Sequence, residues 1–152
     1  MTERQITDDV PAVESQQRQI KVVGLVAVVW NLLGVSAFLM QMLMTEEDMA
    51  ALPEAQRALY EAIPFWADLA FSVAVFGGLL GAVLLLLRRR LAIVLFAVSL
   101  AGIGVQQFQM YVMSDVLAVM GASAAVMPTL VVCAAIMQLW YAVSCRGRGW
   151  LN

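Results

Sequence analysis

Histidine is absent from this chain, and cysteine occurs only twice, at Cys133 and Cys145. The first absence removes the commonest general base and the commonest metal ligand. The second leaves too few thiols for a disulfide framework. Charge is also scarce: Asp, Glu, Lys and Arg make up 13% of the 152 residues, about half the share of an ordinary soluble domain. Lys and Arg number 9 against 11 acidic residues, for a net charge of -2, so nucleic acid is excluded as a partner. No glycine-rich phosphate loop, no CxxC and no Ser–His–Asp set can be assembled. Without a convergent acid, base and nucleophile the chain is not expected to be an enzyme, and neither a cofactor nor a metal site is read from it.

What is present is apolar. Hydrophobic residues make up 62% of the chain. A soluble fold of this length buries only about two-thirds of its area, so the excess must face something other than water. Spanning a bilayer core of about 30 Å takes roughly 20 apolar residues in a helix. Four stretches reach that length, at residues 22–44, 65–87, 91–113 and 124–144. They are near-continuous runs, not alternating strands, which favours helices over a barrel. The predicted architecture is an all-α integral membrane four-helix bundle over residues 22–144, with the lipid bilayer as its surroundings. Residues 1–21, rich in Gln and charge, are expected to be a disordered tail. They are too long and too acidic for the basic start of a signal peptide, so the first apolar run reads as a retained anchor. Residues 145–152 read as a second tail.

The cations are one-sided. Arg4, Arg18, Lys21, Arg88, Arg89, Arg90, Arg146 and Arg148 fall on one face of a four-crossing topology, and only Arg57 falls on the other. The positive-inside rule then places both termini, and both tails, in the cytoplasm. The outer segment between the first two spans carries acidic residues and two breaks, Pro53 and Pro64. Thr45 followed by Asp48 resembles an N-cap, and Leu52, Leu59 and Ile63 give one apolar side, so a short amphipathic helical hairpin is expected there. It is either a plain connection or an acidic cap that attracts cations.

Polar residues inside hydrocarbon are costly and turn inward. At 100° per residue, Gly24, Ala27, Asn31, Gly34 and Gln41 share an arc of about 100°, and Ala92, Ser99, Gly102, Gln106 and Gln109 share another. The second span instead carries a seam of small residues, Gly77, Gly78 and Gly81, suited to close helix packing. Gln41, Asp68, Gln106 and Gln109 lie toward the outer end, with Asn31 deeper. Two readings stand: ordinary interhelical hydrogen bonding, or an outer polar cavity lined by a single ionisable group, Asp68, that takes a proton or a cation. Methionine also gathers outward, at Met40, Met42, Met44, Met49, Met110, Met113, Met120 and Met127. Thioethers select Cu(I) when three or more converge, and otherwise serve as flexible gap-fillers.

The run Trp30-Asn31-Leu32-Leu33-Gly34, then Ala51-Leu52-Pro53-Glu54, Ala58-Leu59-Tyr60-Glu61 and Val75-Phe76-Gly77-Gly78 before the triple Arg, resembles a group of small uncharacterised bacterial inner-membrane proteins. These have four helices and are sometimes named sugar transporters. The resemblance covers most of residues 22–141, and it implies the topology and an inner-membrane location but no set of functional residues. The leading expectation is a non-enzymatic protein acting by helix packing, as a homo-oligomer or as an accessory subunit of a larger membrane complex, with the glycine seam of the second span as its interface. The second is a small homo-oligomeric transporter or channel for a small solute or cation, built on the outer polar cluster around Asp68.

Overall fold

The computed structural model describes the backbone of residues 3–152 and the side chains of residues 15–152. Seven α-helices follow one another, and no strand occurs among the described residues. α1 is Glu3–Met42, of which Ser15–Met42 is long and apolar enough to cross a membrane. Two short helices follow, α2 at Glu46–Ala51 and α3 at Glu54–Glu61. α4 is Phe65–Leu86 and α5 is Leu91–Phe108, the latter continuing as a π-helical turn over Gln109–Met113. α6 at Val116–Met120 and a 3₁₀ turn at Ala122–Ala125 lead into α7, Val126–Gly147.

The breaks have local causes. Thr45 caps α2: its hydroxyl accepts from the Asp48 N–H at 3.2 Å, while the Asp48 carboxylate accepts from the Thr45 N–H at 2.9 Å. This reciprocal capping box satisfies two otherwise orphaned donors. Pro53 and Pro64 stand at the N-caps of α3 and α4, where a missing N–H removes no helix bond. α4 ends with Arg88 in the left-handed region, at φ 56°. The Arg89 N–H reaches the Leu84 carbonyl and the Arg88 N–H that of Leu85, which is a Schellman cap with arginine where glycine is usual. α7 ends the same way on Gly149, at φ 73°.

α4 is the central helix, packed against α1 on one side and α5 on the other, and α5 packs in turn on α7. Small residues permit this. Ala27, Ala74, Ala82, Ala92 and Ala142 are all buried, so the helix backbones approach closely. The larger buried cluster lies at the end near the triple arginine and includes Ile20, Leu85, Phe96, Cys145 and Leu151. Outward faces are apolar: Leu25, Val29, Leu80, Val94, Met137 and Trp140 are all exposed. A soluble monomer rarely shows so large an apolar surface. The four long helices fit a multi-pass membrane protein and a four-helix bundle.

Both chain ends differ from expectation. Residues 15–21, placed in the disordered tail, begin the spanning helix, because Ile20 has an apolar site to fill, at 1% exposure. The earlier part of that expected tail lies outside the residues described in full. At the other end, residues 145–152 are docked. Leu151 is buried, the Asn152 N–H donates to the Arg88 carbonyl at 2.7 Å, and the Arg90 N–H donates to the Asn152 carbonyl at 2.9 Å. The Arg148 guanidinium stacks 5.0 Å from the centre of the Trp150 ring.

Candidate functional site

The polar residues inside the bundle form two separate levels. The level nearer the triple arginine is closed. Asn31 Nδ2 donates to Gln138 Oε1 at 2.8 Å and to the Ala27 carbonyl at 2.7 Å. Ser99 Oγ donates to the Ala74 carbonyl at 2.6 Å. Gly78 lies against both groups, and a Cβ there would meet Asn31 Oδ1. Gly77 faces the Leu95 carbonyl and Ser99, and Gly81 faces the Phe96 ring. The glycine seam of α4 is thus filled by α1 and α5 of the same chain. The close packing expected of Gly77, Gly78 and Gly81 is made within the chain.

The other level is open. A cavity of about 240 Å³ lies between the ends of α1, α4 and α5, under α3 and α6. Gln41, Asp68, Gln106 and Gln109, placed together from helical phase and depth alone, all line it. Asn31 does not. Gln41 Nε2 donates to Asp68 Oδ1 at 2.9 Å, fixing the carboxylate across the α1–α4 contact. Gln109 is 8% exposed, yet its side-chain amide has no hydrogen-bond partner among the described residues. Its polar atoms are open to the cavity, since the buried polar atoms without a partner among the described residues are Gln107 Oε1 and Tyr141 Oη, so water or another polar molecule can reach them. It stands at the start of the π turn. π turns inside helices are rare and recur at functional sites.

The rest of the wall comes from elements that sequence phase did not connect to it. Tyr60 and Gln56 reach in from α3, Phe71 from α4, Ser114 from the turn after the π segment, and Met120 from α6. The signal available for α3 was its apolar side, Leu59 and Ile63, both of which line the cavity. Nothing local marks Ser114 or Met120, since their placement depends on how α6 docks. A second buried amide was also missed: Gln107 Nε2 meets the Pro128 carbonyl at 3.5 Å, and its Oε1 is buried without a partner.

Among the described residues Asp68 is the only carboxylate on the wall, and no Lys or Arg lines it. Among the described residues the one ion pair at this end is Arg57 with Glu61, at 3.7 Å on α3. The surrounding helices add Glu46, Glu47, Asp48 and Glu54, so the local field is negative. Asp48, in the capping box, has its carboxyl held below the ordinary 3.8, first by the Thr45 backbone N–H and then by the Thr45 hydroxyl. Of the methionines expected toward this end, Met110 and Met120 line the cavity, while Met40, Met42, Met113 and Met127 are exposed and do not line it. No group of three or more metal-ligating Cys, Asp or Glu occurs among the described residues.

Compared with known proteins, the chain matches no family model, no curated protein and no solved structure.

Proposed function

We propose that this chain is a multi-pass protein of the bacterial inner membrane, with both termini in the cytoplasm, that binds a small polar solute in the cavity at its outer end. The single observation that carries this reading is the convergence of Gln41, Asp68, Gln106 and Gln109 on one cavity, with the Gln109 amide open to it and making no hydrogen bond to the described residues. A purely structural polar layer would close on itself, as Asn31 and Gln138 do. The volume is below the roughly 300–1,000 Å³ of drug-sized pockets, which suits a small solute. Beneath it the Asn31 level and the apolar cluster fill the bundle. Passage across the membrane would therefore need a moving helix or a second copy, and the binding step comes first. The cation bias supports the orientation, since seven of the described Lys and Arg stand at the end opposite the cavity and only Arg57 stands beside it.

Cysteine accessibility tests both parts. In a chain carrying Cys133→Ala and Cys145→Ala, Ser114→Cys is expected to react with a membrane-impermeant maleimide added to intact spheroplasts. Arg89→Cys is expected to react only after permeabilisation. The reverse pattern sinks the orientation, and a Ser114→Cys that is inert on both sides sinks the open cavity.

A further inference from the structure

The composition of the cavity wall selects a class of solute. Among the described residues the carboxylate of Asp68 is the only formal charge on the wall, and no Lys or Arg lines it, Arg57 being paired with Glu61. Oδ1 is engaged by Gln41, while Oδ2 has no hydrogen-bond partner among the described residues. An uncompensated carboxylate in a partly dehydrated site favours a ligand of charge +1 and penalises an anion. Around it stand two aromatic rings, Tyr60 and Phe71, and the thioethers of Met110 and Met120. Aromatic faces attract ammonium groups. A bare alkali ion would leave those apolar groups unused and most of the 240 Å³ unfilled. The Gln109 amide, nine-tenths buried, supplies a separate donor and acceptor for a neutral polar end.

We propose that the cavity takes a small organic monocation, an amine with a hydroxyl or similar polar group, its ammonium on Asp68 and its polar end on Gln109. This rests on the reading of the cavity as a solute site and adds the charge and chemistry of the solute. The hairpin assists: the acidic residues of α2 and α3 concentrate cations at the mouth.

The test is equilibrium dialysis of the full chain in nanodiscs against radiolabelled ethanolamine, glycerol and acetate, each with and without potassium chloride. Saturable ethanolamine binding is expected, with glycerol and acetate at least about tenfold weaker. Asp68→Asn, which keeps the Gln41 contact, is expected to weaken ethanolamine by at least about tenfold. Gln106→Glu places a second carboxylate on the wall while leaving Gln109 in place and is expected to tighten it, which keeps the proposal testable if Asp68→Asn does not fold. Glycerol binding as well as ethanolamine would leave a solute site but overturn the cation. Potassium displacing ethanolamine at equal concentration would overturn the organic class in favour of an inorganic ion. Tighter acetate, or ethanolamine unchanged by both variants, would overturn the role of Asp68. If no probe saturates, the solute site itself fails.

Discussion

At the scale of single residues, the glycines separate packing from propensity. A Cβ on Gly102 would stand 2.8 Å from the Ala70 carbonyl and 3.0 Å from the Ala74 nitrogen, both of them backbone atoms that cannot swing aside. Gly102→Ala is therefore expected to cost about 1–3 kcal/mol through overpacking, read as an earlier midpoint in denaturant titration in mixed micelles. Gly104 has nothing within 4 Å, so Gly104→Ala in the same helix is expected to be neutral or to stabilise by up to about 1 kcal/mol. Equal losses at both positions would refute the close α4–α5 approach. The Asn31–Gln138 pair is the corresponding polar test. A double-mutant cycle with Asn31→Leu and Gln138→Leu is expected to return a coupling of roughly 0.6 kcal/mol, the average for interhelical hydrogen bonds in membranes. A coupling of zero would mean that the two side chains do not meet.

At the scale of elements, the capping box gives α2 a pH response whose direction follows from the bonds. The Asp48 carboxyl is lowered below 3.8 in the fold because its ionised form accepts from Thr45. A group lowered on folding adds stability that is fully present above the unfolded value and lost as pH falls through the folded one. Protection of the α2 amides from hydrogen exchange is therefore expected to hold at neutral pH and decline below about pH 4. Thr45→Ala is expected to remove that dependence, as well as about 1 kcal/mol of local helix stability. The spans were legible because an uninterrupted apolar run of some 20 residues has few other uses. The inward stripes of α1 and α5 were legible for a related reason: a polar group such as Gln41 or Ser99 is costly against lipid, so its phase marks the interior. The π turn was not legible. Gln109-Met110-Tyr111-Val112-Met113 has no residue that separates i→i+5 from i→i+4 bonding, and the choice is made by packing. The docking of α3 and α6 over the cavity was hidden likewise, since five- and eight-residue helices take their position from their neighbours.

At the scale of the whole molecule, the two ends of the bundle are built differently. At the arginine end, two left-handed caps and the Leu151–Asn152 strap tie the α4–α5 turn to the end of α7. Arg88 holds a backbone conformation that costs a non-glycine residue about 1 kcal/mol, and its carbonyl accepts the Asn152 N–H. Replacing Leu151 by Asp is expected to lower the thermal midpoint of the purified chain, because it sets a charge in an apolar site at 1% exposure. An unchanged midpoint would show that the strap is not seated. At the cavity end α7 contributes none of the described wall residues, and two of its three buried residues, Ala142 and Cys145, lie in its last two turns. The two rims are therefore fastened by different chemistry. Main-chain bonds lace the α4–α5 turn to the chain end at the arginine rim, whereas at the cavity rim single side-chain bonds, Gln41 to Asp68 and Gln107 to the Pro128 carbonyl, hold the spans together. A point substitution that removes one hydrogen-bonding side chain can thus unfasten the second rim but not the first.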